Sequence, residues 1–86
     1  MDNLMNKLTL GFSDVVSIEP ERMSGEPCFK GTRVPIKTLF DHIDKLDEFF
    51  DGFPSVTHEQ VNKVLSLAGQ SFLSLCYEYN NKTATR

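Results

Sequence analysis

Residues 35–61 read PIKTLFDHIDKLDEFFDGFPSVTHEQV, and the spacing of apolar side chains in this stretch decides the fold. Ile36, Leu39, Phe40 and Ile43 follow the i, i+3, i+4, i+7 pattern of a buried helical stripe. Pro35 suits the first turn of that helix, where its missing N–H would have no intrahelical partner, and it pushes Val34 into an extended conformation. The stripe runs on through Leu46, Phe49, Phe50 and Phe53 with a drifting phase, which predicts two helices with a tight join at 44–47. Asp44 or Asp47 is expected to cap the second helix, and Gly52 with Pro54 to end it. Thr57 and Gln60 then have the form of a capping box, in which each side chain serves the other's backbone amide. They open a long helix over 57–79, with Val61, Val64, Leu65, Ala68, Phe72, Leu75, Cys76 and Tyr79 on its core face. Gly69 within it costs about 1 kcal/mol relative to alanine.

Working back from Pro35, the block Cys28–Pro35 reads CFKGTRVP and is expected to be a second short extended piece. Gly31 supplies a positive-φ position that lysine or threonine would adopt only at a cost. The first extended piece is DVVSIEP, rich in β-branched residues and ended by Pro20; Ser24-Gly25 marks the turn between the two. The fold class expected is therefore mainly α, a three-helix domain of helix-turn-helix type (homeodomain-like or winged-helix-like) preceded by short β-strands. Residues 1–14 form an N-terminal extension, 15–80 the single domain, and 81–86 a flexible tail. Leu4, Met5 and Leu8 in the extension are candidates for a partner surface or for scattered apolar positions.

A chain of 86 residues holds one core. A domain of that size buries only about 60–65 % of its unfolded surface, so sharing stability with a second copy is expected. No apolar run approaches the roughly 18 residues of a membrane span. The start MDNLMNKLTL lacks a basic flank and a small-residue cleavage site, so a cytoplasmic location is expected and a membrane partner is not. Cys28 and Cys76 are far apart, and His42 and His58 are isolated, so no metal or cofactor is expected. Asp44, Asp47, Glu48 and Asp51 could in principle hold Mg²⁺ for a nuclease, but their spacing suits a solvated helix face. With no phosphate-binding loop or nucleophile elbow either, catalysis is not expected.

The net charge of −3 argues against simple nucleic-acid binding, because phosphate neutralisation supplies most non-specific affinity. The charge is unevenly spread, however. Residues 27–40 contain Lys30, Arg33 and Lys37 and no acid, whereas 41–51 contain five acids against Lys45 alone. A cationic corner steers a polyanion whatever the total charge. A helix-turn-helix places the start of its second helix against base edges. The DNA-binding candidates are thus Lys30, Thr32, Arg33 and Lys37 in the block, and Ser55, Thr57, His58, Gln60, Asn62 and Lys63 at the helix start. Leu67, Leu73 and Tyr77 lie off the main stripe and are candidates for a partner surface.

The chain resembles the small bacterial family catalogued as domain of unknown function 433. The likeness rests on the I-x-P segment, the G-x-P turn, the K-G-T-R-V-P block, the acidic helix ending in F-P and the V-T-x-E helix start, over about residues 15–70. It implies a homeodomain-like helix-turn-helix protein, VapB-like in role, which is the antitoxin of a type II toxin–antitoxin pair. That role implies two partners: a PIN-like ribonuclease toxin encoded by the neighbouring gene, and the operator DNA of its own operon, bound as a homodimer or higher homo-oligomer. The alternative is a protein-interaction module with little or no DNA affinity. One departure bears on the choice. Where relatives carry a glycine-containing turn between the first two helices, HIDKLDEFF runs straight through, about three residues shorter. A shorter turn is expected to fuse the helices or rotate the next one.

Overall fold

The structure is a computed structural model that describes residues 11–21 and 23–83. Leu4, Met5 and Leu8, and the last three residues of the expected tail, lie outside the described residues. In chain order the elements are α1 (Phe12–Val15), β1 (Val16–Ser17), a 3₁₀ turn (Met23–Gly25), β2 (Cys28–Phe29), α2 (Ile36–Asp41), α3 (Leu46–Gly52) and α4 (His58–Thr83). The domain is mainly helical, with a two-stranded antiparallel sheet in which Val16 pairs with Phe29 and Ser17 with Cys28.

The first extended piece is shorter than its sequence suggests. Gly11 adopts a left-handed φ of 82° and turns the chain into the single helical turn of α1, so Val15 is helical and only Val16–Ser17 pair as a strand. The two-residue strand leaves Ile18 exposed. The Ser24-Gly25 turn is present, and Met23, Ser24 and Gly25 all have positive φ. The amide of Glu26 closes that turn on the Met23 carbonyl at 2.9 Å.

The interrupted helical stripe is two helices, as its drifting phase predicts. His42 (φ −115°) and Lys45 (φ −144°) leave the helical region, and the Lys45 amide donates to the His42 carbonyl at 2.8 Å. The shortened connection therefore neither fuses the helices nor lacks a turn; four residues, 42–45, make it without glycine. The expected side-chain cap is absent. Lys45 occupies the N-cap of α3 with no side-chain hydrogen bond, and Asp47 and Glu48 sit in the first turn, where their charge opposes the helix dipole favourably.

Phe29, Leu39, Phe49 and Val61 are the largest fully enclosed side chains, and Val15, Val16, Val56 and Val64 complete the cluster around them. Phe49 meets Phe29, Phe50 and Phe53 at ring-centroid distances of 6.0, 5.6 and 5.2 Å. Two expected core positions are not covered: Phe40 and Ile43 are exposed, because α2 ends at Asp41 and the turn carries Ile43 outward. The same correction applies to α4. Its face is buried at Val61 and Val64 and partly at Leu65 and Ala68, but Phe72, Leu75, Cys76 and Tyr79 are exposed. Leu67, expected off the stripe, packs against the core edge. A helix of 26 residues is about 39 Å long, and α1 with the core side chains of α2 and α3 covers only its first third. The helix also continues through Asn80 to Thr83, where fraying was expected.

Replacing Phe49 with alanine removes a fully enclosed ring that bridges four aromatic neighbours, at an expected cost of about 3–5 kcal/mol. In a domain this small, thermal denaturation should show the loss of a cooperative transition, while Phe40→Ala shifts the midpoint by only a few degrees.

Candidate functional site

The K-G-T-R block is a tight turn whose shape is set by backbone bonds. Gly31 has φ 80°. The Thr32 amide donates to the Phe29 carbonyl at 3.0 Å, and the Phe29 amide donates to the Val34 carbonyl at 3.0 Å. The Thr32 hydroxyl serves both strands of the turn, donating to the Phe29 carbonyl at 2.8 Å and accepting from the Val34 amide at 3.0 Å. Thr32 is thereby committed to the fold. No atom lies within 4 Å of where a Cβ on Gly31 would sit, so its requirement is conformational.

The helix start is built as the capping box predicts. The Thr57 amide donates to Gln60 Oε1 at 3.0 Å, and the Gln60 amide donates to Thr57 Oγ1 at 3.0 Å. Gln60 does a second job that the spacing does not reveal. Its Nε2 donates to the Lys30 carbonyl at 3.0 Å, across thirty residues of chain. The cationic turn and the start of α4 are thus joined by one side chain, and the two groups of candidate residues, Lys37 apart, form one surface.

On that surface the side chains divide. Lys30 Nζ donates to the Ser13 carbonyl at 2.9 Å, and Lys63 lies over Gly11, where an added Cβ would meet Lys63 Cε at 2.8 Å. Lys30 therefore ties α1 to the turn, and Lys63 packs over the residue that opens α1. His58 stacks on Phe50 at 3.7 Å and 3°. Arg33, Thr57 and Asn62 are exposed, and Arg33 has no hydrogen-bonding or ionic partner among the described residues. Ser55 is exposed in the turn before the helix. Lys37 is set apart: it lines an apolar groove of about 430 Å³ together with Phe12, Ile36, Phe40, Leu67 and Ser71. Acids border the surface, since Asp14 and Glu59 line a shallow cleft with Gln60 and Lys63. Leu73 and Tyr77, the remaining partner candidates, are exposed on α4 beyond the body.

The described residues contain no cluster of three or more His, Cys, Asp or Glu able to hold a metal, and no helix long and apolar enough to cross a membrane. Cys28 is buried and Cys76 exposed, each as a free thiol. Fold and site together define a small helical domain whose glycine-centred cationic turn is clasped to the capped start of its longest helix. The chain belongs to the family described as Protein of unknown function (DUF433), whose model matches residues 16–68. No curated protein and no solved structure matches it.

Gln60→Ala removes the cap partner and the clasp together and should cost about 1–2 kcal/mol, more than Thr57→Ala at about 1 kcal/mol. Chemical denaturation of both single variants and the double variant checks this. The double variant should be less destabilised than the two singles added, because the pair acts as one unit.

Proposed function

We propose that this chain is the antitoxin of a type II toxin–antitoxin pair, holding a PIN-like ribonuclease encoded beside it and binding the operator DNA of their operon. In this reading α3, the turn at 53–57 and α4 are the helix-turn-helix, with α2 packed before them, and the start of α4 is the element offered to the major groove. One observation carries it: the Gln60–Lys30 hydrogen bond sets the K-G-T-R turn beside the α4 start. Arg33 would then meet a phosphate while Asn62 approaches base edges, the division of labour that sequence-specific binding needs, with Thr57 holding the helix start through its cap. Lys30 and Lys63 act mainly by holding α1, and Thr32 by holding the turn, so their contribution to DNA affinity is indirect.

The second reading, a protein-interaction module with little DNA affinity, draws support from the net charge of −3 and from Leu73 and Tyr77, which are exposed on α4. Acidic Asp47, Glu48 and Asp51 on α3 would suit a basic RNA-binding cleft in the toxin. Here the toxin is the whole of the function.

Gel-shift titration on the DNA upstream of the operon, with and without the neighbouring gene product, separates the two. For an operator-binding antitoxin, affinity falls with rising salt, and Arg33→Ala reduces the magnitude of the log–log salt slope by about one. Retention of the neighbouring protein without any DNA shift selects the second reading.

A further inference from the structure

Beyond Ala68 the last helix leaves its own domain. Its core stripe does not stop there. Leu65, Ala68, Phe72, Leu75 and Tyr79 are spaced 3, 4, 3, 4, the a/d repeat of helices that pack on one another. The first two are partly buried in the body, whereas Phe72 is 65 % and Leu75 62 % exposed. From Val64 to Asn81 the only charged residue is Glu78, a depletion of charge that marks the centre of interfaces and not a solvated helix. The segment is also poor in strong helix formers: Gly69, Ser71, Phe72, Ser74, Cys76, Tyr77 and Asn80 all favour helix weakly, and an isolated helix of under about 12–15 residues is marginal in water.

We infer that residues 69–83 of α4 are the dimerisation element of this chain, and that two copies pair antiparallel through the Phe72–Leu75 seam. The direction follows from the stripe. The seam lies on the same face of α4 that meets the core between Val61 and Ala68, so a parallel partner would run its own first half into the space filled by Leu39 and Phe49. An antiparallel partner runs away from it instead. The end of the partner's helix then reaches the apolar groove beside Leu67 and Ser71, whose rim carries Phe12 and Phe40 at 39 and 42 % exposure.

The area is sufficient. The uncovered parts of Phe12, Phe40 and Phe72, with Leu75, amount to roughly 300–450 Å² of apolar surface per copy. Doubled, and with an apolar share of about 60 %, this gives a total interface of roughly 1,000–1,500 Å², within the span of specific pairs. The arrangement is isologous and closed, so it stops at two. Leu73 and Tyr77 lie on the opposite side of the helix and stay available to a different protein. The family match ends at residue 68, before the seam residues Phe72 and Leu75. It is independent of whether the domain binds DNA or a toxin.

Sedimentation velocity of the full chain, without DNA or a second protein, should show a dimer at micromolar concentrations. The double substitution Phe72→Glu, Leu75→Glu should raise the dissociation constant at least about tenfold, while Leu73→Glu, Tyr77→Glu leaves it within about twofold. Folding of the body is checked by its cooperative thermal transition. A nitroxide at Ser66→Cys, in a Cys76→Ser background, should report a distance of roughly 20–35 Å between the backbones of the two copies if they are antiparallel; about 10 Å would mean a parallel pair. That last measurement needs no destabilised variant. A wild-type chain that stays monomeric, a dimer insensitive to the Phe72 and Leu75 changes, or the short distance would each overturn the inference. A negative gel shift would leave it standing.

Discussion

Everything in this domain is organised around the contact between Phe29 and Phe49. Each is fully enclosed, and their rings lie 6.0 Å apart at 52°. Phe29 comes from the second strand and Phe49 from the middle of α3, so this one meeting of apolar faces joins the small sheet to the helical part. With a sheet of only two residues per strand, the ladder alone could not hold the K-G-T-R turn in place. The turn is stable because its first residue follows a buried phenylalanine and the residue after its last, Val34, packs against the same core. The cationic corner is in this sense a by-product of the core: the loop is where the chain comes out of the packing and must return to it.

Much of this arrangement is legible in the residues themselves, and the parts that are share a property. The existence of a helix break (at 42–45, two residues before the 44–47 expected), the left-handed Gly31 and the Thr57–Gln60 cap are all decided within a few residues, by periodicity, by backbone sterics and by reciprocal amide satisfaction. What was not legible depends on partners distant in the chain. Lys30 reads as a free cation, and is in fact engaged with the carbonyl of Ser13, seventeen residues earlier. Gln60 reads as a cap, and also reaches Lys30. No local pattern distinguishes these polar side chains from solvated ones. Asp44 and Asp47 show the opposite error: their chemistry suits a cap, but Lys45 takes the position and the backbone closes the turn without them.

The long helix illustrates a further limit of periodicity. A stripe of apolar side chains states that a face will be covered; it does not state by what. From Val61 to Ala68 the cover is the chain's own α1 with core side chains of α2 and α3, and past that point the same repeat continues without cover among the described residues. Periodicity read as one uninterrupted core face overestimates the domain, and the discrepancy between stripe length and body length is itself the informative quantity.

Because Gln60 grips the helix start with one end of its amide and the loop with the other, the two cannot be altered separately. A change that loosens the helix terminus is felt thirty residues upstream, and the pair should open and close as a single breathing unit. Sequence change on this surface is therefore channelled away from Thr57 and Gln60 and toward neighbours with no structural duty, Arg33 and Asn62 foremost. Selection can rewrite those two positions while the frame that presents them stays unchanged.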